Sequence, residues 1–137
     1  MPYWKLTQTI HQSAQPYAEA HASEYSAVIG AFHPDGHNLP GGQLATHRRY
    51  FRFPLQDSGE HGDGYLAAEH ALDLLAPIVR TLTLEDTVLI HCLAGVNRSG
   101  CLTAFVWAIR SGLPIQDVLR RQAEVYQART PPHVWVP

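Results

Sequence analysis

Cys92 and Arg98 are separated by five residues, Leu93, Ala94, Gly95, Val96 and Asn97, and Arg98 is followed at once by Ser99 and Gly100. A cysteine thiolate is a potent nucleophile. An arginine presents a planar fork that can hold two oxygens of an oxyanion at once. Together they point to chemistry on an anion: the sulfur attacks while Arg98 clamps the oxygens around the attacked atom. The Ser99 hydroxyl can donate a hydrogen bond to that sulfur. His91, just before the cysteine, is placed to fix the loop from behind. Asn97 is equally readable as a brace for a neighbouring loop and as a tolerated loop residue.

This chemistry requires elements that hold the residues in place. Thr87–His91 is a short, apolar run that reads as a buried strand leading into Cys92, and 98–111 reads as a helix. A strand, a tight loop and a helix N-terminus form an anion cradle, because the first N–H groups of the helix lack intrahelical partners and its dipole is positive there. Gly95 lets the loop adopt a positive φ and turn its amides inward. Gly100 lets the first helical turn approach its neighbours. Helix N-termini and adjacent cations favour the thiolate form of a cysteine, and Cys92 would have both. Alone, a cysteine followed by an arginine could be a core thiol and a surface guanidinium. The strand, Gly95, the Arg98–Ser99 pair and the helix together favour the cradle.

The rest of the chain supplies an alternating pattern. Tyr3–Thr7 reads as a first strand, 15–23 as an Ala-rich helix, Tyr25–Phe32 as a buried strand and 48–54 as another strand ended by Pro54. The Pro- and Gly-containing stretches 33–42 and 56–64 read as loops. Residues 65–81 form a helical pattern in which Leu66, Leu72, Leu75, Ala76 and Val79 can share a face, with Pro77 expected to kink or divide the helix. Gly112 is a C-cap residue in type, and Pro114 fits the first turn of a last helix reaching about Ala128. The pattern predicts a single α/β domain: a central, mostly parallel sheet of four to five strands flanked by helices.

Composition narrows the class. With 137 residues, 45% hydrophobic and 16% charged, the chain can bury one globular core. A formal charge of −2 argues against nucleic acid as the main partner. The arginines at 48, 49 and 52 read as a solvated face. No apolar run is long enough to span a membrane, and the first residues do not resemble a signal peptide. Two cysteines, Cys92 and Cys101, provide neither a disulfide framework nor a zinc pair, so a reduced, cytoplasmic setting and a monomer are expected. Cys101 and the aromatic Phe105 and Trp107 read as helix core. The nine histidines lack metal-ligand spacing, so neither a metal nor another cofactor is expected.

The segment 91–100 resembles the His-Cys-x5-Arg-Ser/Thr signature loop of the protein tyrosine phosphatase superfamily. Its position late in the chain is similar to that of the dual-specificity branch, with a looser resemblance from about Tyr25 to Gln127. This implies that Leu93 to Arg98 bind the substrate phosphate and that Cys92 forms a cysteinyl-phosphate. A departing alkoxide or phenoxide then needs a proton. In that branch the donor is an aspartate on a loop 30 to 40 residues before the cysteine. Asp57 lies 35 residues before Cys92, follows the stretch 50–56 and begins a Gly-rich loop. It is the expected acid and then base, with Asp63 as its competitor, since no Trp-Pro-Asp motif marks either. No residue between Cys92 and Arg98 is basic, which argues against inositol phospholipids. The expected substrate is a phosphorylated protein, at phosphotyrosine and also phosphoserine or phosphothreonine, with a small-molecule or nucleotide phosphate as the alternative. A non-catalytic phosphate-binding module is the reading from another class.

Overall fold

The computed structural model describes residues 3–31, 40–53, 68–92 and 97–129. Its strands are β1 (Tyr3–Lys5), β2 (Ile10–Ala14), β3 (Ala27–Ala31), β4 (Tyr50–Phe53) and β5 (Val88–Cys92). Its helices are α1 (Gln15–His21), α2 (Ala68–Arg80), α3 (Asn97–Ser111) and α4 (Ile115–Arg129). The five strands form one sheet in the order β1-β2-β5-β3-β4. Only β1 is antiparallel to its neighbour. The predicted α/β class and mostly parallel sheet are what the chain forms.

β5 is the middle strand. All five of its residues are buried because both sheet faces are covered. Val88, Ile90 and Cys92 join the larger core, with Ile29, Leu75, Val79, Leu102 and Val118. Leu89 points the other way, into a smaller cluster with Ala18, Ala22, Val28 and Leu44, under α1 and the 3-10 turn Gly42–Thr46. The two clusters are the two faces that a period of two side chains produces.

The sequence pattern does not announce β2. Only Ile10 and Ala14 of its five residues are apolar, yet Gln12 and Ser13 are fully buried. Its pairing with β5, from Ile10 opposite Val88 to Ala14 opposite Cys92, sets it beside the nucleophile candidate. α1 begins immediately at Gln15, with Pro16 in its first turn, where a missing N–H costs nothing.

Two further expectations need correction. Pro77 does not divide α2, which continues to Arg80. Pro77 is solvent-exposed and lies in the last turn, so only a short remainder of helix follows it. Leu72 does not share the buried face of Leu75 and Val79; it is 37% exposed, as the helix presents a narrower apolar stripe than the sequence suggests. No helix among the described residues is long and apolar enough to cross a membrane.

α3 is held at both ends. Its Arg110 donates from Nη1 to the Asp86 carbonyl at 3.0 Å and from Nη2 to the Thr83 carbonyl at 2.6 Å, fixing the turn that feeds β5. Gly112 stops the helix at φ 72°, and its N–H bonds the Ala108 carbonyl. Leu102 of α3 is completely buried in the main core. Leu102→Ala is expected to cost about 2–5 kcal/mol through lost transfer energy and the cavity left behind, measured as a shift of the urea unfolding midpoint at unchanged slope.

Candidate active site

The site lies at the C-terminal end of β5, in the middle of a parallel sheet whose chain order reverses around that strand. β2 and β3 flank β5 and are joined by a crossover through α1. Ligands bind in open α/β sheets at such reversals. Cys92 is the last residue of β5 and is 2% exposed. The backbone of Asn97 and Arg98 forms the start of α3, one residue earlier than the sequence suggests. The predicted strand and helix therefore bracket the loop as the cradle requires. Leu93, Ala94, Gly95, Val96, Asp57 and Asp63 lie outside the described residues.

The sulfur has a defined neighbour. Cys92 Sγ is 3.4 Å from Ser99 Oγ, and Ser99 is fully buried. The Ser99 carbonyl accepts from the Thr103 hydroxyl at 2.6 Å. In this contact the thiol is the donor and Ser99 Oγ the acceptor. Behind Ser99 lies a buried polar cluster that sequence reading misses. Gln12 Nε2 donates to Ser99 Oγ at 3.3 Å. Gln12 Oε1 accepts from the Tyr126 hydroxyl at 2.5 Å and from Gln122 Nε2 at 3.4 Å. Gln122 Nε2 also donates to the Gly100 carbonyl at 3.0 Å. One signal for this cluster exists in the sequence: Val118, Gln122 and Tyr126 are spaced four apart, which puts a glutamine on the buried stripe of a helix.

His91 points to the opposite face of β5. Its Nε2 is 2.7 Å from the Tyr50 hydroxyl on β4, although β3 lies between the two strands. Gly30 of β3 makes this reach possible: a Cβ there would stand 2.6 Å from His91 Nε2 and 2.8 Å from Tyr50 Oη. His91 is 1% exposed, and burial pushes its pKa down to about 4. The Cys92 backbone opposes that shift, and the positive charge of Arg52 adds to it. Burial likewise raises the Tyr50 pKa to about 12. At neutral pH a neutral imidazole and a protonated phenol therefore form the clasp, which anchors the strand just before the sulfur.

The arginines at 48, 49 and 52 do not make one solvated face. Arg48 is exposed, Arg49 lies 4.0 Å from Asp86, and Arg52 is half-buried on the side of His91. Cys101 is half-buried against the main core, and burial raises its pKa, as suits a packing residue.

The strand order and helix placement are those of solved protein tyrosine phosphatase structures. Among solved structures, Tk-PTP in its active form matches over 90% of this chain and 83% of that one, at 19% identity and a TM-score of 0.66. Human DUSP28 matches over 96% and 86%, at 14% identity and a TM-score of 0.69. OH1 from the Orf virus, described as a tyrosine phosphatase, matches over 93% and 76%, at 15% identity and a TM-score of 0.60. No family model and no curated protein sequence matches the chain.

Two outcomes follow from the clasp. Gly30→Ala is expected to force His91 and Tyr50 apart and to destabilise the fold by about 1–3 kcal/mol, whereas Gly30→Ala combined with Tyr50→Phe should recover part of that loss in the same denaturation assay. The second concerns acid. His91 binds a proton near its ordinary pKa of 6.5 when unfolded but only near 4 when folded. Stability is therefore complete above the unfolded value and declines as pH falls from there towards 4, by up to about 1.4 kcal/mol per pH unit. His11, half-buried with its pKa also lowered chiefly by burial, acts in the same direction. His91→Gln should flatten part of the Tm-against-pH curve in this window; an unchanged slope would refute the assignment.

Proposed function

We propose that the chain is a cysteine-dependent phosphatase that hydrolyses phosphate monoesters, with protein phosphotyrosine, and phosphoserine or phosphothreonine, as its substrate class. The observation that carries this reading is the contact between Cys92 and Ser99. It sits at the end of the middle strand, with the start of α3 facing it across a loop of the signature length. A core cysteine needs no such partner. A sulfur that must carry charge in a buried place does.

In this reading Leu93 to Arg98 surround the phosphate, their backbone N–H groups and the Arg98 guanidinium facing its oxygens. The Cys92 thiolate attacks phosphorus along the line of the departing oxygen. The S–P bond forms as the P–O bond breaks, and Asp57 gives its proton to the leaving oxygen. Asp57, now a carboxylate, takes a proton from water as that water attacks the cysteinyl-phosphate. The S–P bond breaks, inorganic phosphate departs and the thiolate returns, so the sum is ester plus water to alcohol plus phosphate. Ser99 donates to the sulfur when it is the leaving group, and His91 holds the strand that carries it. A nucleophilic thiol has to stay reduced, which fits a cytoplasmic setting.

Similarity to Tk-PTP, DUSP28 and OH1 supports the reading at the level of fold. The deciding experiment is release of phenol from an aryl phosphate. Wild type is expected to turn over and Cys92→Ser to lose at least about a thousandfold; equal rates would leave only a phosphate-binding module. With an alkyl phosphate, whose leaving group needs protonation, Asp57→Asn should slow turnover by about 100-fold or more and Asp63→Asn should not. The reverse order would move the acid to Asp63.

A further inference from the structure

The geometry points to Tyr126 and Gln12 as positioning residues for the nucleophile, acting through Ser99: a one-way chain of hydrogen bonds running from α4 through β2 to the sulfur of Cys92. The inference rests on the phosphatase reading for its purpose, but not for its geometry.

The direction of the chain is fixed by its fixed ends. The Gly100 carbonyl can only accept, so the Gln122 atom 3.0 Å from it is the amide nitrogen. That nitrogen also faces Gln12 at 3.4 Å, so the Gln12 atom on that side is its oxygen, which accepts from the Tyr126 hydroxyl as well. The Gln12 amide is thereby prevented from flipping, and its nitrogen is turned to Ser99. A serine hydroxyl has one hydrogen to give. In the structure the thiol donates to Ser99 Oγ at 3.4 Å; once the sulfur is ionised it can only accept, and with Gln12 donating into Oγ the serine hydrogen is the one that can turn to it. Every dipole in the series then presents its positive end towards Cys92, and such aligned bonds polarise one another in a low-dielectric interior.

The burial of the members fits a relay. Gln12 and Ser99 are 0% exposed, Gln122 is 5% and Tyr126 is 7%. Burying this much polarity is costly unless it is satisfied, and an apolar β2 would pack against α3 and α4 without that cost. Burial raises the Tyr126 pKa and keeps the phenol a donor; negative charge at Cys92 works in the same direction, against the hydrogen bonds to Gln12 and Gln122. Around the sulfur, the described titratable groups on the packed elements are Tyr126 on α4 and Cys101 on α3, with His91 facing away on β5. None of these changes charge in a way that would substitute for the relay near neutral pH. Gly100 lies against the cluster: a Cβ there would meet Tyr126 Oη, Gln12 Nε2 and Gln122 Nε2 at 3.4 to 3.9 Å, in ordinary contact.

The test uses the full chain and reads the thiol directly, so it holds even if no phosphatase activity is found. The rate of Cys92 carboxymethylation by iodoacetate is followed by peptide mass spectrometry, which separates Cys92 from Cys101. Measurements are made at about pH 6 and at about pH 9, so that an effect on the thiolate fraction, which weighs more at the lower pH, separates from a uniform change in access. Tyr126→Phe, which keeps the ring against Trp4, is expected to react about 3- to 10-fold more slowly than wild type at the lower pH and at the same rate at the higher one. Gln12→Leu should do the same. In a Ser99→Ala background, Tyr126→Phe should have no further effect, because the chain is already cut. Wild-type rates in Tyr126→Phe at the lower pH, an equal loss at both pH values, or full additivity with Ser99→Ala would each overturn the relay. Hydrolysis of an aryl phosphate, measured in parallel, tests the phosphatase reading separately: its absence with the alkylation pattern intact defeats that reading alone.

Discussion

A sulfur that is to carry a negative charge inside a protein needs donors around it, and it needs them in place before any substrate arrives. Water is the usual source of such donors, and burial removes it. Cys92 is 2% exposed. The polar neighbour of Cys92 is a serine hydroxyl, in the first turn of the helix that follows the strand end. Much of the architecture serves that contact. β5 must end at the middle of the sheet, α3 must begin within a short loop of it, and α3 must not drift. The bonds from Arg110 to the Thr83 and Asp86 carbonyls hold the far end of the helix to the entry of the same strand.

The two faces of β5 divide the work. On one face Cys92 lies among apolar side chains and the Gln12 cluster. On the other, His91 reaches over Gly30 to Tyr50. Adjacent residues of a strand point to opposite faces, so the backbone between them is fixed from both. The imidazole does this without carrying charge at neutral pH, since burial has taken it far from protonation. A cation in that position would lie one residue from the sulfur, but its stabilising effect would come at the expense of a buried charge without a counter-ion.

Much of this was legible in the sequence, and the illegible part shares one cause. The apolar run into Cys92, the Arg98–Ser99 pair and the helical stretch after them follow patterns that burial imposes on sequence. They could be placed to within a residue or two. β2 could not, because Ile10–Ala14 has polar residues where a buried strand should be apolar. Gln12 belongs to the cluster behind Ser99, His11 meets the Tyr3 and Tyr25 hydroxyls, and the Ser13 hydroxyl bonds the Ala14 carbonyl. Gln122 and Tyr126 read as ordinary helix positions, and Gly30 read as one more residue in an apolar strand. Periodicity reports how a residue is buried but not what polar partner it meets there. Leu72 erred in the opposite sense, since an apolar residue at helical spacing need not reach the core. Asp57 and the loop residues 93–96 rest on sequence alone.

The bond between Gln12 and Tyr126 joins residues 114 positions apart. Contacts of that separation carry the largest loop-closure cost and cannot exist until both ends of the chain have docked. The strand that bears the sulfur, and the helix that bears Ser99, can meet much sooner. Maturation of the thiol environment is thus tied to the final step of assembly: a partly folded chain has its cysteine but not the ordered donors behind it. The last helix is what closes the polar cluster behind Ser99.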